Sequence, residues 1–108
     1  SLTTSIPYRA GIVYPVEGEF GRMEMIEVMG IDGFDYADHC DAPNLGILAV
    51  RYPVADIEHA KSQVLARGGT LSADITTVSL GGVGTVELFS LKTPDGAIMQ
   101  FFSDPAAQ

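Results

Sequence analysis

Two polar side chains stand among apolar neighbours on segments that alternate in the manner of β-strands. Glu24 shares its strand face with Ile26 and Val28, and Gln100 shares a face with apolar residues of a later strand. Burying a carboxylate beside aliphatic side chains requires a partner charge, a metal ion or hydrogen bonds. Two interpretations stay open for both residues, a side chain that faces a binding site or one on an exposed face. The exposed face is the simpler explanation for Gln100.

Arg51 is the natural counter-ion for such a site. It lies in the run LGILAVRYPV at 45–54, where alternation places it on the face of Ile47 and Ala49. A guanidinium offers a planar fork of donors that matches a carboxylate. We therefore predict that Arg51 pairs with Glu24 or with an anionic group of a ligand.

Two further motifs carry weaker chemistry. The cluster DHCD at 38–41 collects potential metal ligands, but four adjacent residues cannot all face one ion unless the backbone turns sharply. The glycines of GGVG at 81–84 precede a segment of period two, whereas a phosphate-binding loop opens a helix. We predict a bulge or a hairpin turn at the glycines and no metal site in the DHCD cluster.

Composition limits the class of protein. The chain has 108 residues, 46% of them hydrophobic, which is enough for one folded domain and too short for two. Its 14 acidic and 6 basic residues give a net charge of -8, and the scattered cations form no basic stripe for nucleic acid or anionic membrane. Since there is no apolar run of membrane-spanning length and no signal-peptide pattern, we predict a cytoplasmic protein.

The elements that position these residues are mostly strands. The first part of the chain predicts a hairpin, followed by a long connection rich in Gly and Asp. The second part predicts a strand ended by Pro53, a helix capped by Asp56 and closed by Gly68 and Gly69, and three strands, the last two joined by a TPDG turn. The predicted bounds are 9–16 and 22–28 for the hairpin, 30–44 for the connection, and 45–54, 70–78, 83–91 and 97–102 for the later strands.

The order from residue 45 is therefore β-α-β-β-β. One crossover helix followed by strands with short turns is typical of an α+β unit, in which the helix covers one face of a curled, mixed sheet. The opposite face is then free for a pocket or for a partner sheet.

The second part of the chain resembles a known family. VADIEHAKSQVLARGG followed by LFSLKTPDGAIMQFFSDP is similar to the second βαβββ module of the vicinal oxygen chelate superfamily, which includes glyoxalase I, bleomycin-resistance proteins and extradiol dioxygenases. RMEMIEVMG resembles the last strand of a preceding module. The resemblance implies an incomplete first module with its connection at 1–44 and a second module at 45–108, together one domain. It also implies a half-open barrel formed with a partner module.

In this family the first and last strands of each module carry the ligands of a divalent metal. The resemblance places Glu24 at a ligand position, and Gln100 where the family most often has Glu. The usual His position falls on Ile47 or Ala49, which cannot bind a metal. The fourth ligand would come from a strand that this chain lacks. With at most two of four ligands, one of them an amide, we expect the metal site of this chain to be incomplete or absent.

The predicted function is that of a glyoxalase-like domain that binds a small molecule on a concave sheet lined by Arg51, Glu24 and Gln100. If the protein is an enzyme, the resemblance implies a metal-assisted lyase, isomerase or dioxygenase in which Glu24 moves a proton. The alternative is a non-catalytic, metal-free module that sequesters a small molecule or pairs with another module. The acidic charge favours a neutral or cationic ligand, and the expected partner is a second copy or another module.

Overall fold

A computed structural model describes residues 5–14, 21–39 and 46–107 of the chain. The chain divides into two compact units, Ser1–Phe34 and Asp35–Gln108. The division falls inside the predicted connection. Within the described ranges, no helix is long and apolar enough to cross a membrane.

The first unit is a β-hairpin. Strand β1 (Tyr8–Val13) pairs antiparallel with strand β2 (Met23–Val28), and Ile12 lies opposite Glu24. The predicted hairpin is confirmed, although the first strand ends at Val13, and the last two residues predicted for it lie outside the described ranges.

The second unit has the predicted β-α-β-β-β order and an α+β architecture. Its elements are β3 (Ala49–Val54), α1 (Ile57–Ala66), β4 (Leu71–Leu80), β5 (Gly84–Lys92) and β6 (Ile98–Ser103), with a short 3-10 turn at Ala37–His39 before them. The strands form a four-stranded sheet in the order β3-β6-β5-β4. Strand β3 runs parallel to β6, and the other pairs are antiparallel, so the sheet is mixed. The described strands form this sheet and the two-stranded one, and neither is closed into a barrel.

The helix begins and ends where its sequence signals predict. The Asp56 carboxylate accepts a hydrogen bond from the backbone N–H of His59 at 2.8 Å, which satisfies a free donor of the first turn. Beyond the last turn Gly68 has φ 81°, a left-handed conformation that costs a glycine little. The turns at GGVG and TPDG are also confirmed, with Val83 N–H donating to Leu80 and Gly96 N–H donating to Thr93.

The strand predicted at 45–54 ends at Val54 as expected but begins only at Ala49. Pro53 lies within the strand, one residue before its end and opposite Phe102. The carbonyl of Val54 accepts a hydrogen bond from Asp104 N–H, so the polar groups of Val54 point toward the chain of β6. Because these directions alternate along a strand, the backbone polar groups of Pro53 point outward from this edge strand. Proline therefore removes no hydrogen bond from the sheet.

The buried apolar side chains described in the second unit are Phe89, Ile57, Val86 and Leu88. Phe89 is 0% exposed, and its ring stacks on Phe101 with centroids 5.2 Å apart. Tyr52 extends the aromatic row to β3, with its ring 6.0 Å from that of Phe101. The helix packs against β5 and β6, and its residue Ile57 is buried.

A partly exposed ion pair joins the helix to β4. Lys61 pairs with Asp74, and this contact raises the pKa of the lysine and lowers the pKa of the carboxyl. The shifted pKa of Asp74 contributes stability to the fold above the ordinary pKa of an aspartate. That contribution is lost as the pH falls through the lowered pKa of Asp74 in the folded protein. Because both groups reach solvent, the contribution is small.

Candidate functional site

Three polar side chains lie side by side on the sheet face opposite the aromatic row. Arg51 of β3 is opposite Gln100 of β6, which is opposite Ser90 of β5. Arg51 Nε donates to Gln100 Oε1 at 2.6 Å, and Gln100 Nε2 donates to Ser90 Oγ at 3.0 Å. We call these three residues the polar row. Two of the three residues predicted for a site therefore contact each other directly.

Burial increases along the polar row. Arg51 is exposed, Gln100 is half-buried, and Ser90 is only 6% exposed. On the same face, the cross-strand pair Leu88 and Phe102 lies next to the pair Ser90 and Gln100. Ile98 lies on the other side of Gln100 along β6. The result is a charged group at the rim of an apolar surface, with its hydrogen-bond support reaching into the core.

The terminal nitrogens of Arg51 are free to bind. In residues 5–14, 21–39 and 46–107, the guanidinium's sole partner is Gln100, and the ion pairs there join other residues. Since the Nε–H is already used, the two Nη groups remain as donors. A guanidinium in this state can accept a planar anion end-on.

Sequence reasoning missed Ser90. The residue interrupts the apolar segment LFSL, and that interruption was the available signal. Its position beside Gln100 depends on the register between β5 and β6, which alternation within one strand does not give.

Glu24 belongs to the first unit. It lines a shallow groove of about 400 Å³ with Ile6, Tyr8, Ile26 and Val28. The alternation that places it among apolar residues is therefore as expected. The carboxylate is exposed, however, and Ile26 is 61% exposed beside it, so the apolar residues of this face are open as well.

The donors that a metal would need do not fit within the second unit. The oxygen of Gln100 that would bind an ion accepts the hydrogen bond of a guanidinium. Ala49, at one of the two aligned His positions, lies opposite Ile98 and has no donor atom, and Ile47 is an exposed residue before β3. No group of three or more potential metal ligands occurs among the described residues, while Cys40 and Asp41 of the DHCD cluster lie outside them.

Comparisons with known proteins concern the fold. No family model matches the sequence, and no curated protein matches it. Among solved structures, a protein from the mobile metagenome of V. pseudocholerae is 16% identical with a TM-score of 0.51, over 87% of this chain and 74% of that one. An integron cassette protein of V. cholerae is 16% identical with a TM-score of 0.50, over 87% and 75% of the two chains.

A virulence protein of Salmonella typhimurium is also similar, at 16% identity and a TM-score of 0.47. That match covers 51% of this chain and spans less than half, 44%, of the Salmonella chain. At these identities the two cassette-type structures show a shared α+β fold and carry no information on chemistry.

Proposed function

We propose that this chain is a small-molecule-binding module of the vicinal oxygen chelate type that binds its ligand without a metal ion. The observation that carries the proposal is the polar row, a hydrogen-bonded set of side chains on the sheet face opposite the aromatic row. A few converging polar groups on an apolar surface are the usual form of a small-molecule site.

The sheet order supports the same proposal. On the face of the polar row the buried residues Leu88 and Ser90 belong to β5, whereas Arg51 on the edge strand β3 is exposed and accessible to a ligand. In the vicinal oxygen chelate family two such sheets enclose the substrate in a half-open barrel. A second module facing the polar row would turn an open surface into a pocket.

The absence of a metal in the proposal follows from the charge of the polar row. A divalent cation at Gln100 Oε1 would lie within a few ångströms of the Arg51 guanidinium, so two like charges would compete for one amide oxygen. The second candidate is a metal-assisted lyase, isomerase or dioxygenase. The carboxylate of Glu24, on an apolar strand face as in the family's ligand position, favours that candidate.

Metal titration separates the two functions. Protein prepared without chelator and titrated with Mn²⁺, Ni²⁺ or Zn²⁺ in a calorimeter is expected to take up much less than one ion per chain, because Gln100 Oε1 already has a cationic partner. Uptake of one ion per chain that weakens in both Glu24→Ala and Gln100→Ala, but not in the exposed helix variant Glu58→Ala, would contradict the proposal and support the enzyme.

We also propose that a second copy of the chain covers the hairpin. An isolated two-stranded hairpin is at most marginally stable in water. Here apolar side chains are exposed on both of its faces, with Tyr8 67% exposed on one and Met25 exposed on the other. In the described part of the chain the outer edges of β1 and β2 have no further strand. Burying this surface between two copies would stabilise both.

Sedimentation velocity at about 10 µM tests the pairing, and a dimer is expected. Ile26→Lys places a charge on the exposed hairpin face and is expected to shift the protein toward monomer. Val83→Lys, in the exposed turn between β4 and β5, is the matched control and should leave the dimer intact. A wild-type protein that sediments as a monomer would refute the pairing.

A further inference from the structure

We infer that the polar row selects an organic carboxylate, bound end-on by the two Nη groups of Arg51 with its hydrocarbon part against the neighbouring apolar surface. The inference rests on the proposed function and specifies the class of ligand for the same face.

The Nη groups of Arg51 are its free hydrogen-bond donors. Gln100 Oε1 accepts the Nε–H of Arg51, which removes the side-on pair of donors that Nε forms with one Nη. The end-on pair, Nη1 and Nη2, remains without a partner among the residues described. Its spacing matches the two oxygens of a carboxylate, which gives two parallel charge-assisted hydrogen bonds.

Gln100 and Ser90 hold the guanidinium of Arg51 in place. Gln100 uses its oxygen toward Arg51 and its NH₂ toward Ser90, whose hydroxyl lies in the core. The reverse orientation of the amide would set NH₂ donors against guanidinium donors, so the amide has one favourable orientation. An arginine held in this way loses less side-chain entropy on binding than a free one.

The charge of the polar row favours a monoanion. The polar row contains one formal positive charge in a chain of net charge -8, a balance that suits a monoanion better than a phosphate dianion. The chain's overall charge favours neutral or cationic ligands at long range, but the Debye length is about 8 Å at physiological ionic strength. At hydrogen-bond distance the local sign of Arg51 decides.

Two half-buried apolar side chains lie next to the polar row. Phe102 and Ile98 flank Gln100 on β6, and both keep part of their surface exposed. A small hydrophilic acid would leave this apolar surface uncovered, whereas an aryl or branched alkyl group would bury it. The ligand class is therefore an amphipathic carboxylate.

The experiment titrates the 108-residue chain, in the presence of EDTA, with 2-naphthoate, 2-naphthamide and 2-naphthyl phosphate. Affinity is followed by calorimetry, and the Arg51 Nε–H and Gln100 side-chain resonances by NMR. We expect 2-naphthoate to bind at least about tenfold more tightly than the amide or the phosphate and to shift both resonances. Arg51→Lys, which keeps the charge and loses the fork, should remove most of that preference, while Arg67→Lys on the helix should retain it.

The outcomes are distinguishable. Equal binding of naphthoate and naphthamide at the Arg51 and Gln100 resonances would overturn the carboxylate and leave the proposed small-molecule site standing. Tighter binding of the phosphate would overturn it in favour of a phosphoester ligand. No shift of these resonances with any of the three probes would overturn both the carboxylate and the proposed function.

Discussion

Affinity for 2-naphthoate is expected to fall at least about tenfold when Arg51 is replaced by alanine. Hydrogen bonds to charged groups contribute about 1.5–3 kcal/mol, and 1.4 kcal/mol corresponds to a factor of ten in affinity. The side chain is exposed, so its removal leaves the core unchanged. The loss should therefore appear in binding and hardly at all in stability.

Calorimetric titration of Arg51→Ala beside Arg67→Ala provides the comparison. Both variants remove one exposed positive charge, and the Arg67 guanidinium hydrogen-bonds Gln63 within the helix rather than a group on the sheet. An equal loss in the two variants would mean that the overall charge, and not the polar row, controls binding. Unchanged affinity in Arg51→Ala would remove the row from the site.

Truncation of the central aromatic side chain is expected to have the largest effect on stability. Phe89→Ala removes a ring that is 0% exposed and that stacks on Phe101, on the two central strands of the sheet. Substitutions of this kind cost about 3–5 kcal/mol, through lost transfer free energy and the cavity left behind. Domains of this size have about 5–15 kcal/mol in total, so the variant should unfold well below the melting temperature of the wild-type protein.

Urea unfolding followed by far-ultraviolet circular dichroism measures this loss, since the chain has no tryptophan. Val83→Ala is the control, because that side chain is 55% exposed in a turn and its truncation should change the free energy of unfolding little. A loss below about 1 kcal/mol in Phe89→Ala would show that the ring can be replaced by rearrangement of its neighbours.

The second unit was predictable where its signals are local. Asp56 at the helix start, Gly68 at its end and the TPDG turn each act within a few residues, and the structure places all three as expected. Alternation also assigned Arg51 and Gln100 to strand faces correctly. Such features depend on the chain's own neighbours and need no knowledge of the fold.

The site itself depends on distant pairing. Arg51 and Gln100 are 49 residues apart, and their contact follows from the parallel register of β3 on β6. Ser90 enters through a second register, between β5 and β6. The position of Pro53 within β3 has the same origin, because a proline is tolerated or excluded according to which side of the strand has a neighbour.

Glu24 illustrates a different limit. Its alternation with apolar residues is visible in the sequence, but alternation alone cannot say whether the strand face is covered. That depends on what packs against the hairpin, and a second chain would supply information that one sequence does not contain.

The adjacency of Arg51 and Tyr52 also protects the fold from a specific error. They are consecutive in β3, one on the ligand face and one in the aromatic layer. Sliding β3 by one residue along β6 would exchange the faces, inserting a guanidinium among phenyl rings and expelling the tyrosine into water. Burying an unpaired charge there costs far more than a misplaced apolar residue. The residue proposed to recognise the ligand thus also fixes the alignment of the edge strand that presents it.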